Sequence, residues 1–349
     1  MSKARNGAGG IPRVTSPADL TAWRKRIEST RDPKRTCVTV CAGTACRATG
    51  AEAVVLAFHE ELAKAGLDAR VDFRETGCHG FCERGPLVVV KPKEIFYQQV
   101  KATDVAEIVE KTIAAGEVVE RLLYKDPATG KVAVHEHDVP FYASQDRLLF
   151  SMNGVVDPTK IEDYIALGGY QALAKALTAM RREEVLEQVK KADLRGRGGG
   201  GFPTAKKWAS VMEAPGEPKY ILCNADEGDP GAYMDRSLLE GNPHLVLEGM
   251  LIGAYTIGSS QGYVYVRNEY PLAVHNLTIA LYQARKAGLL GKKILGTDFS
   301  FDVRINRGGG AFVCGESTAL MASLEGLAGE PRAKYVTPRR RASTRSRPA

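Results

Sequence analysis

LRGRGGGGFPTAKKW, residues 194–208, sets glycine at 196 and again at 198 through 201, beside Arg195 and Arg197 and just ahead of Phe202. Consecutive glycines carry no Cβ, so the backbone here can approach a ligand closely. Pro203 suits the first turn of a helix, and the amides at a helix N-terminus form a ready phosphate site. Lys206 or Lys207 stands within reach of a phosphate or carbonyl. The spacing matches neither G-x-x-x-x-G-K-[ST] nor G-x-G-x-x-G after a strand, which disfavours a P-loop kinase or an ordinary Rossmann dehydrogenase. A flexible loop is the bland alternative to a nucleotide cradle.

Downstream, the apolar runs KYILCNA (219–225), GYVYVRNEY (262–270) and FDVRI (301–305) read as strands, and helical spacing recurs near 163–192, 243–257 and 271–288. That alternation predicts a largely parallel sheet flanked by helices. Two ligand-type turns follow strands. NADEGDPGAYMDR (224–236) packs Asp226, Glu227 and Asp229 around Gly228, as acceptors suited to ribose hydroxyls. The alternative is a solvated acidic turn with Asn224 as an Asx-type residue. RGGGAFVCGESTAL (307–320) is a second glycine loop leading into a helix. Cys223 and Cys314 read as packing residues, and the six histidines show no ligand spacing.

Upstream, TCVTVC (36–41), ARVDFRE (69–75) and PLVVVKP (86–92) read as strands. Residues 51–65 place Val54, Val55, Phe58 and Leu62 at helical spacing, and 103–116 form a closing helix. Cys41 and Cys46 form C-x4-C after the first strand, and Cys78 and Cys82 form C-x3-C before a later one. Glycines 43, 77 and 80 sit beside them. Four thiolates in two pairs suit an iron–sulfur cluster. A structural zinc site, which favours C-x2-C pairs, and plain buried thiols stay open on spacing alone. Cys37 reads as a buried strand thiol.

The chain has 349 residues, 44% hydrophobic and 26% charged, with seven cysteines and a net charge of +7. The positive charge lies in residues 1–36 and 333–349, leaving the body mildly acidic, so a nucleic-acid partner is not expected. No apolar run is long enough to span a bilayer, and the basic N-terminus lacks a signal-peptide core. The expected location is the cytoplasm, where clustered cysteines bind metal or do redox work. The domain reading is a flexible arm over 1–35, in which PADLTAWRKRIEST (17–30) could make one short helix, an α/β domain over 36–121, a linker over 122–150 wrapping onto the next domain, a second α/β domain over 151–332, and a disordered basic tail over 333–349.

The stretches LRGRGGGGFPTAKKW, NADEGDPGAYMDR, GYVYVRNEYP and GGGAFVCGESTALMASLEG together resemble the NADH-binding flavoprotein subunit of respiratory complex I and the diaphorase or β subunits of NAD(P)-linked hydrogenases and formate dehydrogenases. The cysteine quartet resembles the thioredoxin-like [2Fe–2S] domain fused ahead of that flavoprotein in the soluble hydrogenase versions. The fold class implied is α/β: an N-terminal thioredoxin-like [2Fe–2S] domain followed by a Rossmann-like FMN/NADH-binding domain. Implied functions are oxidation of NADH or NADPH through FMN and delivery of single electrons to clusters of a larger complex. Gly196, Arg197, Gly198, Gly199, Lys207, Asn224, Asp226, Gly310, Phe312 and Gly315 would contact FMN. Phe202, Asp229, Glu316 and Lys334 would bound the NAD(H) pocket, and Cys41, Cys46, Cys78 and Cys82 would ligate the [2Fe–2S] cluster.

The family pattern also departs in places. Glu316 is followed by Ser317 where the family carries a second glutamate, and Asp229 stands where complex I has glutamate, leaving the choice of NADH or NADPH open. Beyond about residue 332 the resemblance ends, so the chain reads as C-terminally truncated and the family's [4Fe–4S] cluster is expected absent. Two competing readings follow: a [2Fe–2S] relay or scaffold without flavin activity, and a zinc protein whose basic tail meets nucleic acid.

Overall fold

The structure is a computed structural model and describes residues 10–333. Among these, one unit spans 26–164 with 237–243, and the other spans 10–25, 165–236 and 244–333.

In the first unit a four-stranded sheet runs in the order β2-β1-β3-β4, with β1 (Cys37–Cys41), β2 (Asp72–Thr76), β3 (Val88–Lys91) and β4 (Ile95–Tyr97). β1 and β2 are parallel, joined through the helix Ala51–Lys64, while β3 and β4 pair antiparallel. Alternation along β-branched strands gives the sheet two buried faces. Val38, Val40, Val88 and Val90 meet Val54, Phe58 and Leu62 of that helix, with Ile108 of the closing helical run behind them. Cys41, Leu87, Val89 and Phe96 form the opposite face.

That second face is covered by the segment expected to be a linker toward the next domain. It carries a two-stranded ribbon, β5 (Tyr124–Lys125) and β6 (Val132–Ala133), and the short helix Pro140–Ala143. Tyr124, Ala133, Val139 and Tyr142 are buried against Phe81, Leu87 and Phe96. Residues 122–150 therefore pack back onto the preceding domain, because their anchoring side chains are single apolar groups that fill the open sheet face.

The flexible-arm reading fails for residues 10–35. Pro17–Ser29 is a helix, and Leu20, Trp23 and Ile27, at i, i+3 and i+7, are buried. Ser16 caps its start, its hydroxyl accepting from the Asp19 amide at 3.2 Å, and the Asp19 carboxylate reaches back to accept from the Thr15 amide at 2.9 Å. The tail reading over 333–349 lies, apart from Ala333, outside the described residues, and so does Lys334.

The second unit is built on β7 (Tyr220–Ala225), β8 (Gln261–Arg267) and β9 (Asp302–Gly308), all parallel in the order β7-β8-β9. The helix Pro243–Ile257 connects β7 to β8, and Pro271–Ala287 connects β8 to β9. The helical stretch expected near 163–192 is three helices, Ile161–Ala166, Gln171–Ala179 and Arg182–Lys191. Gly168 and Tyr170, both at positive φ, break the first junction. Open parallel α/β sheets bind ligands beyond the carboxyl ends of their strands. Register places Ala225 opposite Val266 and Arg267 opposite Gly308, so the turns after residues 225, 267 and 308 share that edge.

Candidate cysteine centre and flavin cradle

The register of the first sheet assembles the cysteines. Cys41, the last residue of β1, pairs with Thr76, the last residue of β2, so Cys78 emerges beside it. The Cys41 amide donates to the Leu87 carbonyl at 3.0 Å, which brings the turn holding Cys82 and Gly85 to the same end of the sheet. The result is a run of neighbouring sulfurs, Cys46–Cys41–Cys78–Cys82, with the last pair 3.3 Å apart. Hydrogen bonds from Cys41 and Cys82 pull the Cys78 thiol well down, while bonds to Cys46 and Cys78 push Cys41 up. Cys46 is pulled down by its bond to Cys41 and Cys82 is pushed up by its bond to Cys78, so the four thiols act on one another as one group.

The surroundings fit a cluster. The Gly80 amide donates to Cys78 Sγ at 3.3 Å. A Cβ on Gly85 would stand 2.5 Å from Cys46 Sγ, and one on Gly43 would stand 3.1 Å from the Cys78 Cβ. Among the described residues no three His, Cys, Asp or Glu side chains form a single-ion site. The four thiols come from two cysteine pairs in the sequence, Cys41 with Cys46 and Cys78 with Cys82, and four thiolates are the donor set of a [2Fe–2S] cluster. Cys37 is buried in β1, and burial pushes its thiol up, in keeping with its reading as a strand thiol.

In the second unit the glycine loop is closed by its own ends. The Gly196 amide donates to the Phe202 carbonyl at 2.9 Å, and the Thr204 amide to the Leu194 carbonyl at 2.8 Å. The helix Thr204–Glu213 follows at once. A Cβ on Gly198, Gly199, Gly200 or Gly201 would meet nothing within 4 Å. Only Gly199 and Gly201 have positive φ, so neither packing nor backbone conformation explains glycine at 198 and 200. Bare backbone facing open space is what close approach of a ligand requires. Arg197, Phe202 and Lys207 are exposed around it.

The carboxyl edge of the sheet brings the other two loops together. Asn224 accepts from the Asp226 amide at 3.1 Å, the Asx-type turn, and donates across to the Gly315 carbonyl at 2.8 Å. Asp229 makes a similar local turn with the Gly231 amide at 3.2 Å. A Cβ on Gly228 would collide with the ring of Phe312, whose outer face is exposed. Gly310 lies at φ +90. Glu316 caps the helix Ser317–Leu324, accepting from the Thr318 amide at 2.7 Å and the Ala319 amide at 3.1 Å.

Sequence reasoning missed the residue that ties this edge together. Arg267, at the end of β8, donates to Asp226 Oδ1 at 2.7 Å, to Glu269 Oε1 at 2.7 Å and to the Gly310 carbonyl at 2.9 Å. Its position closing an apolar strand inside GYVYVRNEYP was the available signal. The other carboxylate oxygen of Asp226 is buried without a partner. Burial pushes that carboxyl up against the pull of Arg267. An orphaned acceptor between the Gly228 turn and the 307–315 loop fits a polar ligand at this edge.

Comparison with known proteins follows the same division. Residues 28–113 match the thioredoxin-like [2Fe–2S] ferredoxin family, and residues 189–340 match the Nuo51 FMN-binding domain. The NADP-reducing hydrogenase subunit HndC of Solidesulfovibrio fructosivorans is 55% identical over 53% of this chain and 37% of its own length. An NADH-quinone oxidoreductase subunit of Aquifex aeolicus is 51% identical over 51% of this chain and 41% of its own length. The chain thus spans about two fifths of the length of these relatives. A chain of a NAD+-reducing [NiFe]-hydrogenase in the air-oxidised state covers 93% of this chain and 57% of its own, at 23% identity and a TM-score of 0.43. Among the described residues no helix is long and apolar enough to cross a membrane. The N-terminal part of the chain is thus similar to the thioredoxin-like [2Fe–2S] ferredoxin family and its C-terminal part to the Nuo51 FMN-binding domain.

Proposed function

We propose that this chain is an NAD(P)H-oxidising flavoprotein subunit of the NADH dehydrogenase or diaphorase type. It takes electrons from NADH or NADPH and passes them singly to the iron–sulfur clusters of a larger oxidoreductase, a hydrogenase, formate dehydrogenase or NADH dehydrogenase. Its place of work is the cytoplasm, or a membrane surface reached through partners, because thiolate clusters persist in reducing compartments. The observation that carries the reading is the occurrence, in one chain, of a four-sulfur run, a side-chain-free glycine loop leading into a helix, and an acceptor-lined edge of a parallel sheet.

A bound FMN would supply hydride acceptance from NAD(P)H and onward passage of its two electrons one at a time, with release of the proton, which is why flavin and cluster occur together. The residues do the holding. Gly196, Arg197, Gly198 and Gly199 offer bare backbone and a cation, and Lys207 in the first turn of its helix adds a second cation. Asn224, Asp226, Gly310, Phe312 and Gly315 supply acceptors and an apolar wall at the sheet edge. Arg267 holds Asp226 and the Gly310 backbone in fixed relation, so these acceptors need no rearrangement when a ligand arrives. Phe202, exposed beside the loop, would stack on the dinucleotide, and Asp229 and Glu316 would bound its pocket, with Lys334 beyond the described residues. Since Glu316 already accepts two amides, its contribution there is to fix the loop's exit. Cys41, Cys46, Cys78 and Cys82 would hold the [2Fe–2S] cluster.

Anaerobic purification with iron, sulfide and FMN supplied tests the reading. About one FMN and two irons per chain, with NADH- or NADPH-dependent ferricyanide reduction, is the expected result. Iron without flavin would leave a [2Fe–2S] relay. Zinc without visible absorption would overturn both.

A further inference from the structure

Tyr142 lies outside the segment that matches the [2Fe–2S] ferredoxin family, which ends at residue 113. It nonetheless belongs to the same buried apolar group as Cys41 and Cys46. Three aromatic rings fix it in place. The rings of Phe81, Phe96 and Phe141 meet that of Tyr142 edge-on, at centroid distances of 6.0, 5.9 and 5.2 Å. Phe81 sits inside the Cys78–Cys82 loop itself, and Phe141 stacks flat on it at 4.6 Å. The Arg147 guanidinium lies 5.4 Å from the Tyr142 ring, so that cation engages the π-face rather than the hydroxyl.

The hydroxyl is the anomaly. Tyr142 is 8% exposed, and its oxygen is buried with no hydrogen-bond partner. Buried tyrosine hydroxyls find partners when their rings are enclosed. Burial pushes this phenol well up, and the Glu136 carboxylate pushes the same way against the pull of Arg147, so the group stays an O–H donor. A donor with no protein acceptor, enclosed with two of the four ligands and packed on the loop that carries the other two, lacks only an acceptor from the group those ligands hold.

Resting on the reading that the quartet holds a [2Fe–2S] cluster, we infer that Tyr142 donates a hydrogen bond from its hydroxyl to a sulfur of that cluster. Tyr142 is thereby a positioning and tuning residue that the cluster domain recruits from the segment following it. A hydrogen bond to sulfur stabilises the more negative, reduced state and raises the reduction potential. The short helix Pro140–Ala143 is thus part of the cluster's electrostatic environment, and the apolar rings around it keep water from competing for the same sulfur.

Tyr142→Phe keeps every ring contact and removes only the unpartnered oxygen. Wild type and variant are reconstituted anaerobically, their iron and labile sulfide are matched, and each is titrated redox-metrically while the reduced-cluster EPR signal is followed. The expected result is equal cluster content with the variant's midpoint moved to more negative potential. Samples prepared in D2O should show an exchangeable-deuteron coupling in wild type that is diminished in the variant. Equal potentials and equal deuteron couplings at equal cluster content would overturn the inference while leaving the cluster assignment intact. A wild-type chain that gives no reduced-cluster signal would overturn the cluster assignment and this inference with it.

Discussion

Arg267 and Asp226, each at or just past the end of its strand, meet at 2.7 Å with side chains only 10% and 1% exposed. The pair is what converts two strand ends and a glycine loop into one surface, since the same guanidinium also binds Glu269 and the Gly310 carbonyl. An enclosed ion pair is costly to break from one side, because the remaining charge stays buried alone.

Arg267→Met should therefore lower the unfolding free energy by about 3–5 kcal/mol and reduce flavin retention. The double variant Arg267→Met with Asp226→Asn should recover part of that loss, since the stranded carboxylate is gone. Urea unfolding of the two single variants and the double variant reads the coupling. Strictly additive losses would mean that the pair does not organise the edge.

Gly198→Val separates cradle from scaffold. Its β-carbon would meet no protein atom within 4 Å, and Gly198 is not at positive φ. Stability should stay within about 0.5 kcal/mol of wild type, as for an open surface site. Bound FMN per chain should fall sharply, because the branched side chain fills the space the backbone leaves for the ligand. Gly199 and Gly201 make poorer probes, since their positive φ strains any side chain whether or not a ligand is present. Undiminished flavin in Gly198→Val would remove the loop from the site.

What the sequence displayed was whatever repeats locally. β7, β8 and β9 are runs of apolar and β-branched residues, and the helices Pro243–Ile257 and Pro271–Ala287 fall where helical spacing put them. The cysteine pairs were legible because they flank strands whose register then joins them. Three features were not. Arg267 finds Asp226 only through the β7–β8 register, a non-local fact. The strand Ile95–Tyr97 is three residues long, too short for an alternation to show. Residues 122–150 are anchored by isolated groups such as Tyr124 and Tyr142, and a single aromatic residue does not say which neighbouring face it will fill.

His244 supplies a pH dependence of stability. It is buried between the Tyr170 hydroxyl, 2.8 Å from Nδ1, and Gln283 Oε1, 3.2 Å from Nε2. Burial pushes its pKa down to about 4 from an ordinary 6.5. Between those values the unfolded chain takes up a proton that the native state refuses. Stability is thus full above pH 6.5 and declines as pH falls toward 4. At pH 5 the loss from this group should be about 2 kcal/mol relative to pH 7. Urea unfolding at pH 7 and pH 5 should show a smaller difference in His244→Gln than in wild type. An unchanged difference would assign the acid sensitivity to other groups.

Gly85 and Gly43 offer a graded test of the cysteine centre, because their missing β-carbons approach ligand atoms at different distances. A methyl group on Gly85 would stand 2.5 Å from Cys46 Sγ, a collision that something must move to relieve; on Gly43 it would stand 3.1 Å from the Cys78 Cβ, close enough to need only a small adjustment. The sulfur is the atom that must stay in place for ligation, so displacement at Gly85 falls directly on the iron ligand. Overpacking of this kind costs about 1–3 kcal/mol in stability, and the effect on cluster occupancy should be larger than the effect on folding. Gly85→Ala should lose most of its iron and labile sulfide while its far-UV circular dichroism stays native, and Gly43→Ala should lose less. Full iron in Gly85→Ala would mean that Cys46 is not a ligand, and the reverse order would mean that the sulfurs are arranged around a different centre.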